Sequence, residues 1–530
     1  MEVNLFPELN FGPELVAIDR LRWFKFCRPK ILVVTDGLNF DPNDDFGLTQ
    51  FISTIELATI YGTTPTVVKA HTGSDSNADI TNFHFDDPNN GLSKSRYDVV
   101  FLFGVDREFS ALPQSEVDAI AAFMEAGGGV FATGDHEDLG AGMSKDVPRV
   151  RNMRYWLSSE TPDIGDTSRL STNLPGDNDI YEFADQSDTH PQRLYVNYRT
   201  EAGGIGDPHP LLQSGSLGPI EVFPDHPHEG ECRIPTNLNT TFTLGGDEKE
   251  EWPDAISGGG KIVPEVAALT MSHGDAFPGK EALTPRSFMA IVAYDGHLAN
   301  RGRISCDATW HHFVNINIDG TDSGRSGLQD SMGNDTPNML KIREYYKNLA
   351  SWLMPKHRRI CLYTPWIIAE ILRYPLFEEV RIPKLADASA DQLNRLGDLV
   401  IKSLANRFPV WQARQMLDDA LESAIGVKEA RTLNTIAQDF GRLGGKELSN
   451  AAVGGMVSAV IETALVNKDK QEIDVDALFV PAATKAARLA AEKYYHHSMD
   501  DLQRIQNLYK DVLRSLQNPK AARKQKNVAA

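Results

Sequence analysis

The chain has 530 residues, of which 41% are hydrophobic and 24% are charged, and its formal net charge is −20. This length predicts more than one domain, and the acidic balance argues against nucleic acid or an anionic membrane surface as a partner. The four cysteines lack CxxC spacing, which argues against a disulfide framework or a cysteine-ligated zinc site and favours the cytoplasm. The N-terminus has no signal-peptide pattern, and no run approaches the ~18 apolar residues of a membrane span.

Up to about residue 355, short apolar runs typical of buried strands alternate with amphipathic helical segments. This alternation predicts a mainly parallel sheet with right-handed crossovers. Residues 157–260 are rich in Gly, Pro, Asp and Asn, which indicates long insertions. The predicted strands cover residues 30–35, 65–69, 97–104, 130–133, 265–271, 288–293 and 303–306, and the predicted helices cover 46–61, a segment capped by Ser115, and 338–353.

Acids and histidines follow the ends of four of these strands. Because the carboxyl ends of parallel strands share one edge, where open α/β sheets bind ligands, the pattern predicts a functional site there. The alternative is a set of polar loops in which Asp135 caps the next helix and the histidines form ordinary hydrogen bonds. The candidate catalytic residues are Asp135, His136, Glu137, Asp307 and His311; the candidate ligand-binding residues are Asp36, Asp106, His228 and His273; the candidate metal ligands are Asp44, Asp45 and His136.

Two kinds of chemistry fit these residues, and both are hydrolytic. A divalent metal ion held by carboxylates and imidazole could lower the pKa of a bound water. Alternatively, His136 or His311 could act as a general base oriented by Asp135 or Asp307. No GxGxxG after a strand, no GxxxxGK[ST] and no GxSxG occurs, so no nucleotide cofactor and no serine-hydrolase elbow is indicated.

Six segments of the α/β part are distinctive: TDGLNF, YDVVFLFG, LPQSEVDAIAAFMEAGGGVFATGDH, HPLLQSG, FMAIVAYDGHLANRGRISCDATWHHF and YYKNLASWLMP. Through these segments, residues 30–355 resemble class I glutamine amidotransferase-like domains, nearest to the trehalose-utilisation (ThuA-like) branch. The resemblance implies a flavodoxin-like fold with long insertions, and it places His311 where ThuA-like proteins have a histidine. Family members that hydrolyse glutamine carry a cysteine nucleophile after the strand matching GGGVFAT, where this chain has Gly134-Asp135-His136, so cysteine-dependent hydrolysis is not expected.

Residues 356–530 predict an all-α domain that ends in a short basic tail, after an N-terminal extension over 1–29 and the α/β domain over 30–355. Ser389 and Gln392 form a capping-box pattern, and the small residues of NAAVGGMVSAVIETAL predict close helix packing. The last helix, over 498–516, carries an apolar stripe that predicts a bundle core, with a partner-binding face as the alternative. The other predicted helices cover 411–424, 428–440 and 449–466.

Two functions remain open from the sequence. The first is a hydrolase, metal-assisted or not, that acts on a small-molecule substrate at the carboxyl edge of the sheet. The alternative is an inert amidotransferase-like module that binds a ligand or scaffolds an assembly. In either case the helical domain would serve homo-oligomerisation or binding of a protein partner.

Overall fold

A computed structural model of the chain describes residues 24–25, 28–61, 63–135, 138–157, 191–201, 204–224, 230–272, 286–318, 328–359, 361–362, 384–405, 409–428, 430, 445–467 and 473–517. These residues belong to two compact units. One comprises the described residues between 26 and 366 together with 409–413, and the other contains residues 24–25 and the remaining described residues after 366.

The first unit is built on an eight-stranded sheet, whose strands are β1 (Lys30–Thr35), β2 (Thr66–His71), β3 (Val99–Phe103), β4 (Gly129–Thr133), β5 (Tyr195–Val196), β6 (Glu265–Ser272), β7 (Arg286–Tyr294) and β8 (Ile304–Asp307). Their order in the sheet is β2-β1-β3-β4-β8-β7-β6-β5. Strands β2, β1, β3, β4 and β8 are parallel, and β7, β6 and β5 extend the sheet in antiparallel fashion. The five parallel strands have the 2-1-3-4-5 order of a flavodoxin-like fold, which confirms the predicted fold class.

Three longer helices accompany the sheet: α1 (Thr49–Glu56), α2 (Gln114–Glu125) and α3 (Pro337–Trp352). The prediction that Ser115 caps α2 is wrong, because the helix begins at Gln114 with Pro113 at the N-cap, so Ser115 already lies in the first turn. Asp135 does not cap a helix either, since Gly140 is the N-cap of the one-turn helix Ala141–Ser144 that follows. A second one-turn helix covers Asn315–Ile318.

Strands β3 and β4 are buried at every residue, as expected of parallel strands covered on both faces. A cluster of edge-to-face aromatic rings fills the space between the sheet and α1, with Phe51 of α1 against Phe101 and Phe103 of β3. Phe313, which follows β8, packs on the same rings at 5.3 Å from Phe103. This packing fixes the segment after β8 against the end of the sheet.

The inserted segments form short antiparallel ribbons, which agrees with the prediction of insertions between 157 and 260 for the part that the structure describes. Gln192–Arg193 pairs with Val222–Phe223, Tyr198–Glu201 with Gly204–Pro208, and Thr241–Leu244 with Asp247–Glu250. Among the cysteines, Cys232 and Cys306 are free and buried. Cys361 is disulfide-bonded.

The second unit is helical, with α4 (Ala390–Ala405), α5 (Val410–Ile425, whose first turn belongs to the other unit), α6 (Gly445–Val466) and α7 (Val475–Gln517). Phe24–Lys25 and Ile473–Asp474 form a short parallel pair. The capping box is confirmed, because Ser389 N donates to Gln392 Oε1 at 2.8 Å and Gln392 N donates to Ser389 Oγ at 3.2 Å. Most of the helix predicted over 428–440 lies outside the described residues.

Close helix packing through small residues is confirmed. A Cβ on Gly454 of α6 would collide with the Leu393 carbonyl of α4, and one on Gly397 would collide with the Asn450 carbonyl. The apolar stripe of the last helix is different, since its side chains from Leu502 to Leu513 are exposed rather than in a bundle core. No helix within the described ranges is both long enough and apolar enough to cross a membrane.

Candidate functional site

The loops after β1, β3 and β4 contact one another at the carboxyl edge of the sheet. Asp36, after β1, accepts hydrogen bonds at Oδ1 from the backbone N–H of Val105 (2.5 Å) and Asp106 (3.2 Å), after β3. The Asp106 carbonyl in turn accepts from the N–H groups of Gly140 (3.2 Å) and Gly142 (2.9 Å), in the loop after β4. Asp36 thus lies between β1 and β3, the topological switch point at which this sheet order binds ligands.

Asp135, in the loop after β4, faces two residues of the segment after β8. Its side chain is completely buried, and its Oδ1 accepts a 2.7 Å hydrogen bond from the Thr309 hydroxyl. Its Oδ2 lies 3.5 Å from Nε2 of His311, whose side chain is 15% exposed. Thr309 also accepts from the backbone N–H of His311 at 3.0 Å, so one hydroxyl positions both the carboxylate and the turn that carries the imidazole.

The His311 ring is held between aromatic side chains. It stacks on Trp310 with the ring centroids 4.4 Å apart and meets the edge of Phe46 at 6.3 Å. Phe46 itself is partly exposed and touches Trp310 edge-on. The imidazole therefore has one partly exposed edge in an otherwise apolar setting beside a buried carboxylate.

The buried guanidinium of Arg154 joins the backbone after β4 to the backbone after β8. Arg154 donates from Nη2 to the carbonyls of Asp135 (2.6 Å) and Ala308 (2.7 Å), which follow β4 and β8, respectively. It also lies over the Trp156 ring, 4.8 Å from the centroid. Burial lowers the pKa of this guanidinium, but arginine remains charged, so a positive charge lies beside the Asp135 carboxylate.

A second acid–histidine pair comes from the end of β8 and the segment that follows it. Asp307, at the end of β8, accepts at Oδ1 from His312 Nδ1 (2.7 Å) and at Oδ2 from the Tyr345 hydroxyl of α3 (2.8 Å). All three side chains are buried, and Phe223 covers the His312 ring at a centroid distance of 3.9 Å. Burial and the Asp307 charge raise the pKa of Tyr345, so its hydroxyl stays protonated and donates. This set fastens the segment after β8 to α3.

The surroundings of Asp36 perturb its protonation. Burial, opposed by the hydrogen bonds from Val105 and Asp106 and reinforced by the nearby Asp106 charge, raises the pKa of Asp36 to about 7. A carboxyl group with such a pKa carries a proton for part of the time at neutral pH and can donate it.

Asp44 and Asp45 have structural roles in the loop before α1. Asp44 Oδ1 accepts from the Phe46 backbone at 2.8 Å, and Asp45 accepts from Ile316 through its carbonyl oxygen at 2.8 Å. Both residues are exposed. The Asn315 amide donates to the carbonyl of Asp44 at 3.1 Å, which joins this loop to the segment after β8.

Four predicted site residues, His136, Glu137, His228 and His273, lie outside the described residues, so the metal ligand set Asp44, Asp45 and His136 stays a prediction. The described neighbours of residues 225–229 do reach the site. Phe223 covers His312, and a Cβ on Gly230 would collide with the Ala308 carbonyl.

Within the described ranges, one group of three side chains has the spacing of metal ligands: His84, Asp86 and Glu116. Glu116 accepts at Oε1 from His84 Nδ1 (3.0 Å) and at Oε2 from the Phe85 backbone (2.8 Å). The hydrogen bond and charge of Glu116 raise the pKa of His84, which favours imidazolium over a metal-binding imidazole. The contacts therefore describe a carboxylate that holds the loop to α2.

The structure adds Thr309, Arg154 and Tyr345 to the residues predicted from sequence. Thr309 had a usable signal, because a threonine two residues before His311 can accept from that backbone N–H. Arg154 and Tyr345 had no such signal, since Arg154 is 154 residues from Ala308 and Tyr345 is 38 residues from Asp307 along the chain.

The comparisons with known proteins do not identify a family. The sequence matches no model of a protein family and no characterised protein. The resemblance to amidotransferase-like domains thus stays a prediction.

Proposed function

We propose that this chain is a hydrolase of a small-molecule substrate, with its active site at the carboxyl edge of the sheet. The observation that carries the proposal is the buried Asp135 carboxylate, hydrogen-bonded to Thr309 and 3.5 Å from His311 Nε2. A carboxylate in this position orients an imidazole and stabilises its protonated form, which is the requirement for a general base acting on water.

His311 would take the proton from the attacking water, while Asp135 would stabilise the resulting imidazolium. The Nδ1 atom of His311 is buried, so a bound substrate has to gain access to that nitrogen. Asp36, with its pKa about 7, would donate a proton to the leaving group. Asp36 follows β1 and His311 follows β8, with β3 and β4 between these strands in the sheet, so a substrate would have to reach across this edge to contact both groups.

Cys232 and Cys306 are poor candidates for the nucleophile. Burial raises the pKa of both thiols, and both side chains are completely buried. Because the thiolate is the reactive form, these thiols are unreactive as placed. This supports a hydrolysis in which water, rather than either of these two thiols, attacks.

The test is a panel of chromogenic esters, amides, phosphate esters and glycosides, assayed with the wild-type chain, Asp135→Asn and His311→Ala. We expect hydrolysis of at least one class, with kcat/KM lowered by roughly 10²- to 10⁴-fold in both variants. His496→Ala, an exposed histidine of α7, is the control and should retain full activity. Hydrolysis that survives in both site variants, or no hydrolysis of any class, would overturn the proposal.

A further inference from the structure

The last third of α7 presents an apolar face to solvent. Every residue from 502 to 510 is exposed. Leu502, Ile505, Tyr509 and Val512 are 46% to 66% exposed, as are the flanking Leu508 and Leu513. Because these side chains are exposed, the segment gains little stability from packing on the described part of its own chain. A helical segment of about 12–15 residues without such packing is only marginally stable in water.

The spacing of these side chains has the period of a coiled coil. Leu502, Ile505, Tyr509, Val512 and Leu516 follow one another at intervals of three, four, three and four residues. This is the a/d pattern of a heptad repeat, which is satisfied by another helix with the same period. The α7 face, defined here as residues 498–516, carries that repeat itself and can thus supply both sides of the interface.

The charges of the same segment favour a second copy of this chain in antiparallel orientation. The whole chain carries −20, which makes two copies repel, but residues 498–517 contain three acids and three bases. Residues 498–507 carry Asp500, Asp501 and Arg504, and residues 508–517 carry Lys510, Asp511 and Arg514, so the first half has one excess acid and the second half one excess base. An antiparallel pair places the acidic end of one helix level with the basic end of the other and opposes the two helix dipoles.

We propose that the chain forms a two-fold symmetric dimer through an antiparallel pair of α7 faces. Of the registers that pair a positions with d positions, the one with the most pairs packs Ile505 on Tyr509 of the second copy and Leu502 on its Val512. In this register Ser498 comes level with Leu516 of the second copy. The two-fold axis passes near residue 507, and the interface is isologous.

The first test is the mass of the full chain in solution, measured by light scattering or sedimentation velocity. We expect about twice the 58.6 kDa of one chain. The double variant Ile505→Glu/Tyr509→Glu should shift the mass to that of one chain, because it places like charges in the contact. The matched control, Gln503→Glu/Asn507→Glu, adds the same charge off the stripe and should leave the dimer intact. All of these positions are exposed, so circular dichroism should show every variant folded.

The second test fixes the orientation by disulfide formation between copies. The double variant Ser498→Cys/Leu516→Cys should give a cross-linked dimer under oxidation, whereas Ser498→Cys alone should not. Cross-linking by the single variant would overturn the antiparallel arrangement in favour of a parallel one. A wild-type protein with the mass of a single chain would overturn the dimer, and it would do so also if that protein sedimented with lipid vesicles. A dimer that persists in Ile505→Glu/Tyr509→Glu would overturn the proposed interface.

Discussion

The Thr309 hydroxyl donates a 2.7 Å hydrogen bond to the buried carboxylate of Asp135, although 174 residues separate the two along the chain. This bond joins the ends of β4 and β8, which are adjacent parallel strands. The same hydroxyl positions the turn that carries His311 relative to the carboxylate, because it accepts a hydrogen bond from the backbone N–H of His311. The geometry of the proposed site thus depends on a residue that need not touch substrate.

Thr309→Val should destabilise the first unit. The substitution keeps the shape of the side chain but removes a donor to a buried carboxylate, which costs roughly 1–3 kcal/mol. Denaturant unfolding measures the loss. Thr241→Val is the matched control, because Thr241 donates a 2.8 Å hydrogen bond to Glu248 between exposed groups, and it should change stability by under about 0.5 kcal/mol. Equal effects at the two positions would contradict the importance assigned to the Asp135 contact.

Asp36 should make the free energy of unfolding fall as pH rises from about 4 to about 7. Its pKa is raised to about 7 from its ordinary value of 3.8, so in this window the folded state binds more protons than the unfolded state. The stability that this extra proton contributes is fully present below the pKa of the unfolded state. It is lost as the pH rises through the pKa of the folded state, with a slope of up to about 1.4 kcal/mol per pH unit. The measurement is denaturant unfolding across pH for the wild type and for Asp36→Asn. The stability of the variant minus that of the wild type should rise between pH 4 and pH 7, and a flat difference would show that Asp36 titrates normally.

His84 should titrate above its ordinary pKa of 6.5, because Glu116 hydrogen-bonds to it and favours its charged form. Glu116→Gln should bring the pKa back towards 6.5. NMR titration of the His84 ring measures both values. A wild-type titration curve displaced downward by added zinc, rather than left unchanged, would contradict the ion-pair interpretation and identify a metal site.

Gly454→Ala should destabilise the helical unit, although alanine favours an exposed helix over glycine by about 1 kcal/mol. The added Cβ would collide with the Leu393 carbonyl of α4, and overpacking of this kind costs roughly 1–3 kcal/mol. Thermal unfolding followed by circular dichroism measures the change. Lys402→Ala, at an exposed position of α4, is the control and should have little effect. A gain in stability for Gly454→Ala would show that the helices are not in close contact there.

The sequence determined much of the local structure. The run at 30–35 forms β1 with the predicted bounds, and Ser389 and Gln392 form their capping box. Both results follow from interactions between neighbours in the chain, through hydrophobic pattern and short-range hydrogen bonds. The recurrence of acids at strand ends could also be detected, because parallel strands bring those ends to one edge.

The tertiary structure decided which of these side chains meet. Asp135 pairs with Thr309 and His311, whereas Asp44 accepts from its own loop, and no local pattern distinguishes the two acids. The same limit applies to α7, where periodicity identified an apolar stripe but could not show that it is exposed. Burial and long-range contacts depend on how distant segments pack, and that information is absent from the spacing of residues along one element.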